Sequence, residues 1–453
     1  MVHTFTYKHN GQPLYFLWDI ESGSLLNVDY VAFLCAKKKY GGELSEKENK
    51  DYLHLTSDVI AEIEEEILDL EKEGVLNAQP QYTSFNKSYK NLKAMCLHIC
   101  HDCNMRCEYC FANEGTYNTE RDYMSLEVGK KAIDLLLANC GVKKNLEVDF
   151  FGGEPLLNLD VVKGIVDYAK IEAEKLGKRF SFTMTTNCLL LNDDNIAWLN
   201  EEMDNVVLSI DGRRCVHDGV RKSPTGNPNF DVVLKNAIKF RKVRGDKRYY
   251  VRGTFTAKNL DFSEDILFLN DQGFDQISIE PVVLPESHHL VIKDEHLPKI
   301  CEEYDKLAES YIERREGEKW FNFFHYMIDL DHGPCVNKRL TGCGAGTEYV
   351  AVSPIGEIYP CHQFVGEKEY LIGTVYEGIV NEGIRERFSK NTVLAKEHCT
   401  DCPAKYYCGG GCAANAKNFA GKIEGQFEQA CILTRKRLEN SLAIAYIERQ
   451  NDK

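Results

Sequence analysis

AMCLHICHDCNMRCEYC, residues 94–110, is the stretch on which the reading of this chain turns. Ala94–Cys100 is an apolar, strand-like run, and the loop after it carries Cys103, Cys107 and Cys110 at the spacing CxxxCxxC. Three thiolates can hold three irons of a 4Fe–4S cluster and leave the fourth open, whereas complete cysteine ligation leaves only electron transfer. Zinc competes for the same loop, with His101 as a fourth ligand. Cys96, Cys100 and Cys103 satisfy the same spacing, but Cys96 and Cys100 alternate with Leu97 and Ile99 on the strand itself.

Beyond this loop, strand-like runs recur at Glu147–Phe151, Phe180–Thr185, Val206–Ile210, Tyr249–Thr256 and Ile277–Glu280. Helical patterns lie between most of them, among them Ser125–Asn139, Val161–Leu176 and Asp231–Val243. Such alternation implies parallel strands with crossover helices. Six units over residues 94–290 predict an α/β fold, a partial (β/α)6 barrel with its site in the loops at the strand C-termini.

Before the barrel, residues 1–80 read as a small module of two strands, Leu14–Ile20 and Ser24–Val28. A helix follows, with Ile60, Ile63, Ile67 and Leu70 at spacings of three and four. Strands beside short helices suggest a winged-helix-like unit. Residues 1–90 carry 15 acidic side chains against 9 lysines and no arginine, a poor surface for DNA. A peptide added to an exposed strand edge suits it better, and a module that only packs is the plainer alternative. A polar linker spans residues 81–93. A helical bridge occupies 291–334, with its helical pattern over about 294–331. From 335 to 453 glycine and cysteine dominate and short elements are expected, as where metal replaces an apolar core.

Further motifs give the first loop a context. Phe150-Phe151-Gly152-Gly153-Glu154-Pro155 closes the second barrel strand; adjacent glycines let backbone approach a ligand, and Glu154 offers a carboxylate to a cationic amine. Thr186-Asn187 follows the third strand, and Ser209-Ile210-Asp211-Gly212 the fourth. With aromatic Tyr109 before Cys110, residues 94–285 resemble the radical S-adenosylmethionine (SAM) family, whose motif is CxxxCxΦC. The resemblance selects Cys103, Cys107 and Cys110 as the cluster ligands and leaves Cys96 and Cys100 as buried apolar side chains. It implies SAM contacts for Tyr109, Gly152, Gly153, Glu154, Pro155, Asn187 and Ser209. Arg221, in HDGVR, reads either as the partner of the SAM carboxylate or as half of a structural salt bridge. Cys188 stands where glycine is common after Thr-Asn.

A second constellation reads Cys343-x12-Gly356-x4-Cys361, then Cys399-x2-Cys402-x5-Cys408-x3-Cys412-x18-Cys431. Its seven cysteines resemble the SPASM domain of radical SAM peptide-modifying enzymes, which implies two auxiliary 4Fe–4S clusters and three clusters in all. By position, Cys399, Cys402, Cys408 and Cys431 would enclose auxiliary II, and Cys343, Cys361 and Cys412 would hold auxiliary I. Cys335 is either a fourth ligand there or leaves that cluster with an open iron. Cys35, Cys140, Cys215 and Cys301 have no partners at ligand spacing and read as reduced thiols.

Composition closes off other classes. The net charge of −15 argues against a nucleic-acid surface, no apolar run nears the ~20 residues of a membrane span, and the N-terminus lacks a signal-peptide pattern. A cytoplasmic protein is expected, whose many thiols serve metals and not disulfides. The whole chain resembles the thioether-forming maturases of SCIFF peptides, small cysteine-rich precursors. That resemblance implies an enzyme that joins a Cys sulfur to a Thr α-carbon through a 5′-deoxyadenosyl radical. Its implied partners are the precursor peptide, with its leader on the N-terminal module, and an electron donor such as ferredoxin or flavodoxin. No general base can be named. The alternatives are a protein oxidase of the sulfatase-maturing type, a multi-cluster electron carrier and a zinc-stabilised peptide-binding protein.

Overall fold

Asn10 and Gly11, both at positive φ (49° and 79°), close a two-residue turn between β1 (Val2–His9) and β2 (Gln12–Asp19). With β3 (Leu25–Val28) these strands form an antiparallel sheet in the order β1-β2-β3. Three helices follow, each with a side-chain N-cap: α1 (Tyr30–Lys39) on Asp29, α2 (Glu46–Leu53) on Ser45 and α3 (Ser57–Lys72) on Thr56. The two expected strand runs fall on β2 and β3, while β1 was not foreseen. Of the expected apolar stripe on α3, Ile67 is buried, and Ile63 and Leu70 pack beside it around Phe33, Leu34 and Leu17. The computed structural model describes residues 1–330, 333 and 335–451.

Residues 81–93, read from the sequence as a linker, form no regular element and are tied down. Leu92 is fully buried, Gln81 bonds twice to Glu21, and the Lys87 ammonium donates to Thr341 at 2.7 Å.

All six expected barrel strands are present. In chain order the strands are β4 (Ala94–Cys100), β5 (Arg106–Cys107), β6 (Asn145–Gly152), β7 (Arg179–Thr186), β8 (Asn205–Ser209), β9 (Arg221–Lys222), β10 (Tyr249–Phe255), β11 (Gln276–Pro281), β12 (Asn322–Phe323), β13 (Tyr349–Val352), β14 (Glu357–Tyr359), β15 (Gly373–Thr374) and β16 (Gly378–Ile379). One sheet runs β12-β11-β10-β8-β7-β6-β4-β13-β14-β15-β16, and β5 pairs with β9 apart from it. Pairing is parallel from β12 to β13 and antiparallel from β13 to β16. The sheet therefore extends past the six expected units, and β13 of the cysteine-rich region lies directly beside β4. Helices α4 (Leu126–Asn139), α5 (Leu159–Lys175), α6 (Asp193–Glu202), α7 (Arg214–Val220), α8 (Phe230–Arg244) and α9 (Phe262–Asp271) alternate with the strands. Met95, Leu97, Val148, Phe150, Phe182, Leu208 and Val251 pack against them, fully buried or nearly so, and alternation turns the other residues of each strand to the opposite face.

The chain departs from expectation in the bridge. After α10 (Leu297–Arg315) the helix ends at the sequence Glu316-Gly317, and residues 322–323 enter the sheet as β12. The end of the predicted helical pattern at 331, and position 334 at the predicted boundary, lie outside the described residues, as does the end of the last predicted domain at 453. Downstream come the short helices α11 (Val336–Thr341), α12 (Glu382–Lys390), α13 (Glu397–Thr400), α14 (Lys405–Cys408) and α15 (Ala413–Ala420). The final helix, α16 (Glu428–Asn451, 24 residues), does not fit the prediction of short elements. Leu438, Leu442 and Ile447 join Ile300, Tyr304 and Leu307 of α10 in the main core, which accounts for its length. Among the described residues no helix is long and apolar enough to cross a membrane.

Candidate functional site

The loop after β4 is held by backbone. Gly153 N–H donates to the Cys100 carbonyl and Glu154 N–H to that of Asp102, each at 2.9 Å, while Glu108 N–H reaches Val220 at 2.8 Å. These bonds bring Cys103, Cys107 and Cys110 together. Burial pushes the Cys103 thiol up to about 12, with the charges of Glu154, Cys107 and Cys110 adding to it. Burial likewise raises Cys107 to about 11, against the pull of Arg221. Thiols so crowded are poor thiolates alone and become good ones when a metal takes the charge. The Met105 N–H (3.4 Å) and Asn187 Nδ2 (3.7 Å) point at the Cys103 sulfur. Cys96 and Cys100 are buried in the strand, as read from the sequence.

The glycines of the second motif are required by crowding. A Cβ on Gly153 would stand 1.9 Å from the Asp102 carbonyl oxygen, and one on Gly152, at φ +120°, 2.4 Å from that of Cys100. Glu154 is 1% exposed and accepts from Thr186 Oγ1 (2.8 Å), Asn187 N (2.8 Å) and Leu156 N (3.1 Å). Burial nonetheless lifts its carboxyl to about 7, so a cationic partner would be needed to hold it fully ionised. Pro155 follows at the start of a 3-10 turn. Cys188 sits at φ +68°, which supplies the reason glycine is common there. Ser209 ends β8 on the open face of the sheet.

Arg221 is occupied. Its guanidinium makes two bonds to the buried Asp211 (2.9 and 3.1 Å) and lies over the Tyr109 ring at 5.5 Å. Tyr109 Oη donates to the same carboxylate at 2.6 Å, and Thr254 N adds another bond at 2.9 Å. Of its two readings, the structure shows the salt bridge. Tyr109 thus acts through Asp211 and Arg221, beside Cys107. Asp211 is the hub that sequence reasoning passed over; its place in Ser209-Ile210-Asp211-Gly212 was the available signal.

The later cysteines fall into two groups. Cys343 adds its charge to both Cys361 and Cys412. Cys408 and Cys402 both raise Cys399, Cys402 raises Cys408, and Cys399 and Cys408 both raise Cys431, whose thiol burial drives to about 12. Lys396, 6% exposed, sits among the second group; its Nζ donates to the carbonyls of Gly410 (2.8 Å) and Gly425 (3.3 Å) and its charge falls on Cys399, Cys408 and Cys431. Cys335 is exposed at the start of α11, near Lys87 and Lys93. The N-terminal module meets this region directly. Glu21, 4% exposed, takes the Lys405 ammonium at 2.6 Å and the Tyr406 hydroxyl at 2.7 Å, both on the helix that ends in Cys408.

Comparison with known proteins agrees with this geometry. Residues 97–257, from β4 to just beyond β10, match the radical SAM superfamily. An uncharacterized protein of Methanocaldococcus jannaschii is 30% identical over 277 residues, 61% of this chain and 86% of its own length. The chain belongs to the radical SAM superfamily. Two solved structures share its fold. The sulfatase-maturing enzyme anSMEcpe with bound S-adenosylmethionine gives a TM-score of 0.66 at 18% identity, over 80% of this chain and 94% of its own. SuiB of Streptococcus suis, bound to its precursor peptide SuiA, gives 0.53 at 16% identity, over 89% and 93%.

SAM and a 4Fe–4S cluster are the cofactors typical of radical SAM enzymes, and the residues here suit them. The donors are thiols, the ligands of iron–sulfur clusters. His101 is turned away from ligand duty by bonds to His98 (3.1 Å) and Thr119 (2.7 Å). That removes the fourth ligand on which a zinc reading of the radical SAM loop depended.

Proposed function

We propose that this chain is a peptide maturase that builds a thioether, joining a Cys sulfur to a Thr α-carbon in a small cysteine-rich precursor of the SCIFF type. The observation that carries the reading is the pair of thiol groups beyond the β4 loop, set in a fold shared with a protein solved on its precursor peptide. Cys103, Cys107 and Cys110 would hold the SAM cluster, with Glu154 turned toward the SAM amine and Asn187 and Ser209 beside it. Cys343, Cys361 and Cys412 would hold auxiliary I, and Cys399, Cys402, Cys408 and Cys431 auxiliary II. Cys335 is exposed, as Cys343 and Cys412 are; it is either the fourth ligand of auxiliary I or leaves that cluster an open iron for a substrate thiolate.

SAM and the reduced cluster supply a 5′-deoxyadenosyl radical when bound. Forming the S–C bond breaks one C–H and one S–H bond. The carbon's hydrogen atom leaves in 5′-deoxyadenosine, and the thiol's proton and one electron leave separately, which gives further redox centres a purpose. The chain's own residues bind and orient. Glu154 takes the amine, the Asp211–Arg221–Tyr109 unit fixes the backbone beside Cys107, and the buried strands exclude water. Among the described residues the N-terminal sheet leaves one edge each of β1 and β3 unpaired, where a leader strand could add. An electron donor such as ferredoxin or flavodoxin would reduce the clusters.

The test is anaerobic. Iron-reconstituted protein is reduced with dithionite and given SAM, and 5′-deoxyadenosine is quantified. Product from the native protein, and a loss of two hydrogens by mass from a Cys- and Thr-rich peptide encoded beside the gene, are the expected results. Protein with a full iron complement that makes no 5′-deoxyadenosine would sink the enzyme reading.

A further inference from the structure

Among the described residues no cation offsets the carboxylate of Asp149, which lies inside the barrel. On β6, Leu146, Val148 and Phe150 are fully buried, and alternation turns Glu147, Asp149 and Phe151 to the inner face. Asp149 stands in register with Cys96 of β4 on one side and Thr183 of β7 on the other, and Thr183 in turn with Asn205 of β8. Asp149, Thr183, Thr185, Asn205 and Val207 are all half-buried, so solvent reaches the inside of the barrel at this level.

The groups that face Asp149 leave it available. Glu147 on its own strand repels it and is itself paired with Lys93 at 2.8 Å. The Thr183 hydroxyl favours the ionised form. Cys96 meets the Tyr349 hydroxyl of β13, and burial holds both protonated. The charge of Cys361 also acts on Cys96 and Tyr349, so Asp149 lies on the side of the barrel nearest the group Cys343, Cys361 and Cys412. Burial lifts the Asp149 carboxyl to about 6, with Glu147 adding to it and Thr183 opposing. An aspartate so placed is ionised at neutral pH yet close to taking a proton, the poise of a general base. Other carboxylates of the barrel are committed. Glu154 accepts from Thr186 and Asn187, Asp211 holds Arg221, and Glu280 is bound by His325 at 3.2 Å and by Arg437 at 3.5 Å.

We infer that Asp149 is the base that takes the proton of the peptide thiol as the thioether forms. The inference rests on the maturase reading and names the acceptor for the thiol's proton. A free thiol, with a pKa of about 8.5, is mostly protonated at neutral pH. Its S–H bond breaks with the proton going to a carboxylate oxygen of Asp149, and the α-carbon's C–H bond breaks with the hydrogen atom going to the 5′-deoxyadenosyl radical. The freed sulfur pair joins the α-carbon radical, and the one surplus electron passes to an oxidised auxiliary 4Fe–4S cluster. A base on the Cys361 side of the barrel stands where thiol and electron acceptor would meet.

The test compares reconstituted native protein with Asp149→Asn and Asp149→Glu. Each is given dithionite, SAM and the Cys- and Thr-rich peptide encoded beside the gene, with deuterium on the threonine α-carbon. Mass spectrometry follows deuterium in 5′-deoxyadenosine and the thioether in the peptide. In Asp149→Asn, which keeps the shape and removes the charge, the thioether formed per deuterated 5′-deoxyadenosine is expected to fall about a hundredfold or more. Asp149→Glu should recover part of that ratio. Because the base must be ionised, native thioether formation should rise with pH through about 6 and then level off. An infrared titration of the carboxyl band, native minus Asp149→Asn, should share that midpoint. A native ratio in Asp149→Asn, whether both products form normally or both are lost together, overturns the proposal, as does a pH limb that survives in the variant. Native protein that makes 5′-deoxyadenosine but leaves the peptide intact would instead overturn the maturase reading, and this proposal with it.

Discussion

In the loop after β4, three thiols are placed by a buried parallel sheet; between Cys343 and Cys431, seven are placed by elements as short as four residues. The β4 loop is fixed by backbone bonds to β6 and α7, and the strand beneath it has Met95, Leu97 and Ile99 fully buried. Apolar burial of this kind contributes with or without a metal. In the later region α13 and α14 have four residues each, and Cys408 is joined to Cys412 by Gly409, Gly410 and Gly411, all at positive φ. Such backbone has little core of its own and a large chain entropy to overcome. Lys396, desolvated among Cys399, Cys408 and Cys431, is best placed once an anionic cluster sits beside it. On the proposed cluster assignment, the first region is a preformed socket and the second is a fold that metal helps to complete.

The largest effect should come from the socket. Cys103→Ala/Cys107→Ala/Cys110→Ala is expected to abolish 5′-deoxyadenosine while leaving thermal unfolding close to native, because the sheet does not depend on those thiols. A variant that also fails to fold would erase the distinction between the regions. Next is the removal of iron by chelation under reducing conditions. Hydrogen exchange should rise by orders of magnitude across 397–412 and stay low across 94–100 and 145–152. Equal protection of both segments without iron would show that the later region folds on its own contacts.

How much could be read from the sequence follows the same division. The six barrel strands were legible because each is a run of alternating or continuous apolar residues between turn signals, and the grouping of the cysteines because their spacing reports a local loop. The first strand was missed although Asn10-Gly11, a strong hairpin signal, stands between two strand-like runs. The strand β13 was missed for another reason: Tyr349–Val352 is four residues long, and its partner β4 is some 250 positions away in sequence, so pairing depends on tertiary contact. Arg221 showed its residue type but not its partner, since Asp211 meets it only when β9 folds back on β5.

Smaller effects probe the socket's supports. Asp211→Asn leaves Arg221 buried without its counter-charge, a change that costs about 3–5 kcal/mol in comparable pairs. The expected readout is a lowered melting temperature together with slower 5′-deoxyadenosine formation, as the backbone beside Cys107 loses its anchor. A variant with native stability would show that Tyr109 and Thr254 hold the loop without the ion pair.

The mildest prediction concerns pH. Glu154 is raised to about 7 by burial, above its unfolded value, so the folded protein binds a proton there that the unfolded chain has released. That contribution to stability is present below the unfolded pKa and fades as pH rises toward 7. A bound ammonium reverses the preference by favouring the ionised carboxylate. SAM affinity should therefore climb as pH rises toward 7, by at most about tenfold per pH unit, and level off above it. Glu154→Gln should bind SAM more weakly and without that slope between pH 6 and 8. A native protein whose SAM affinity is flat over this range would mean that the SAM amine meets some other acceptor, and that Glu154 serves only the bonds to Thr186 and Asn187 that tie β6 to β7.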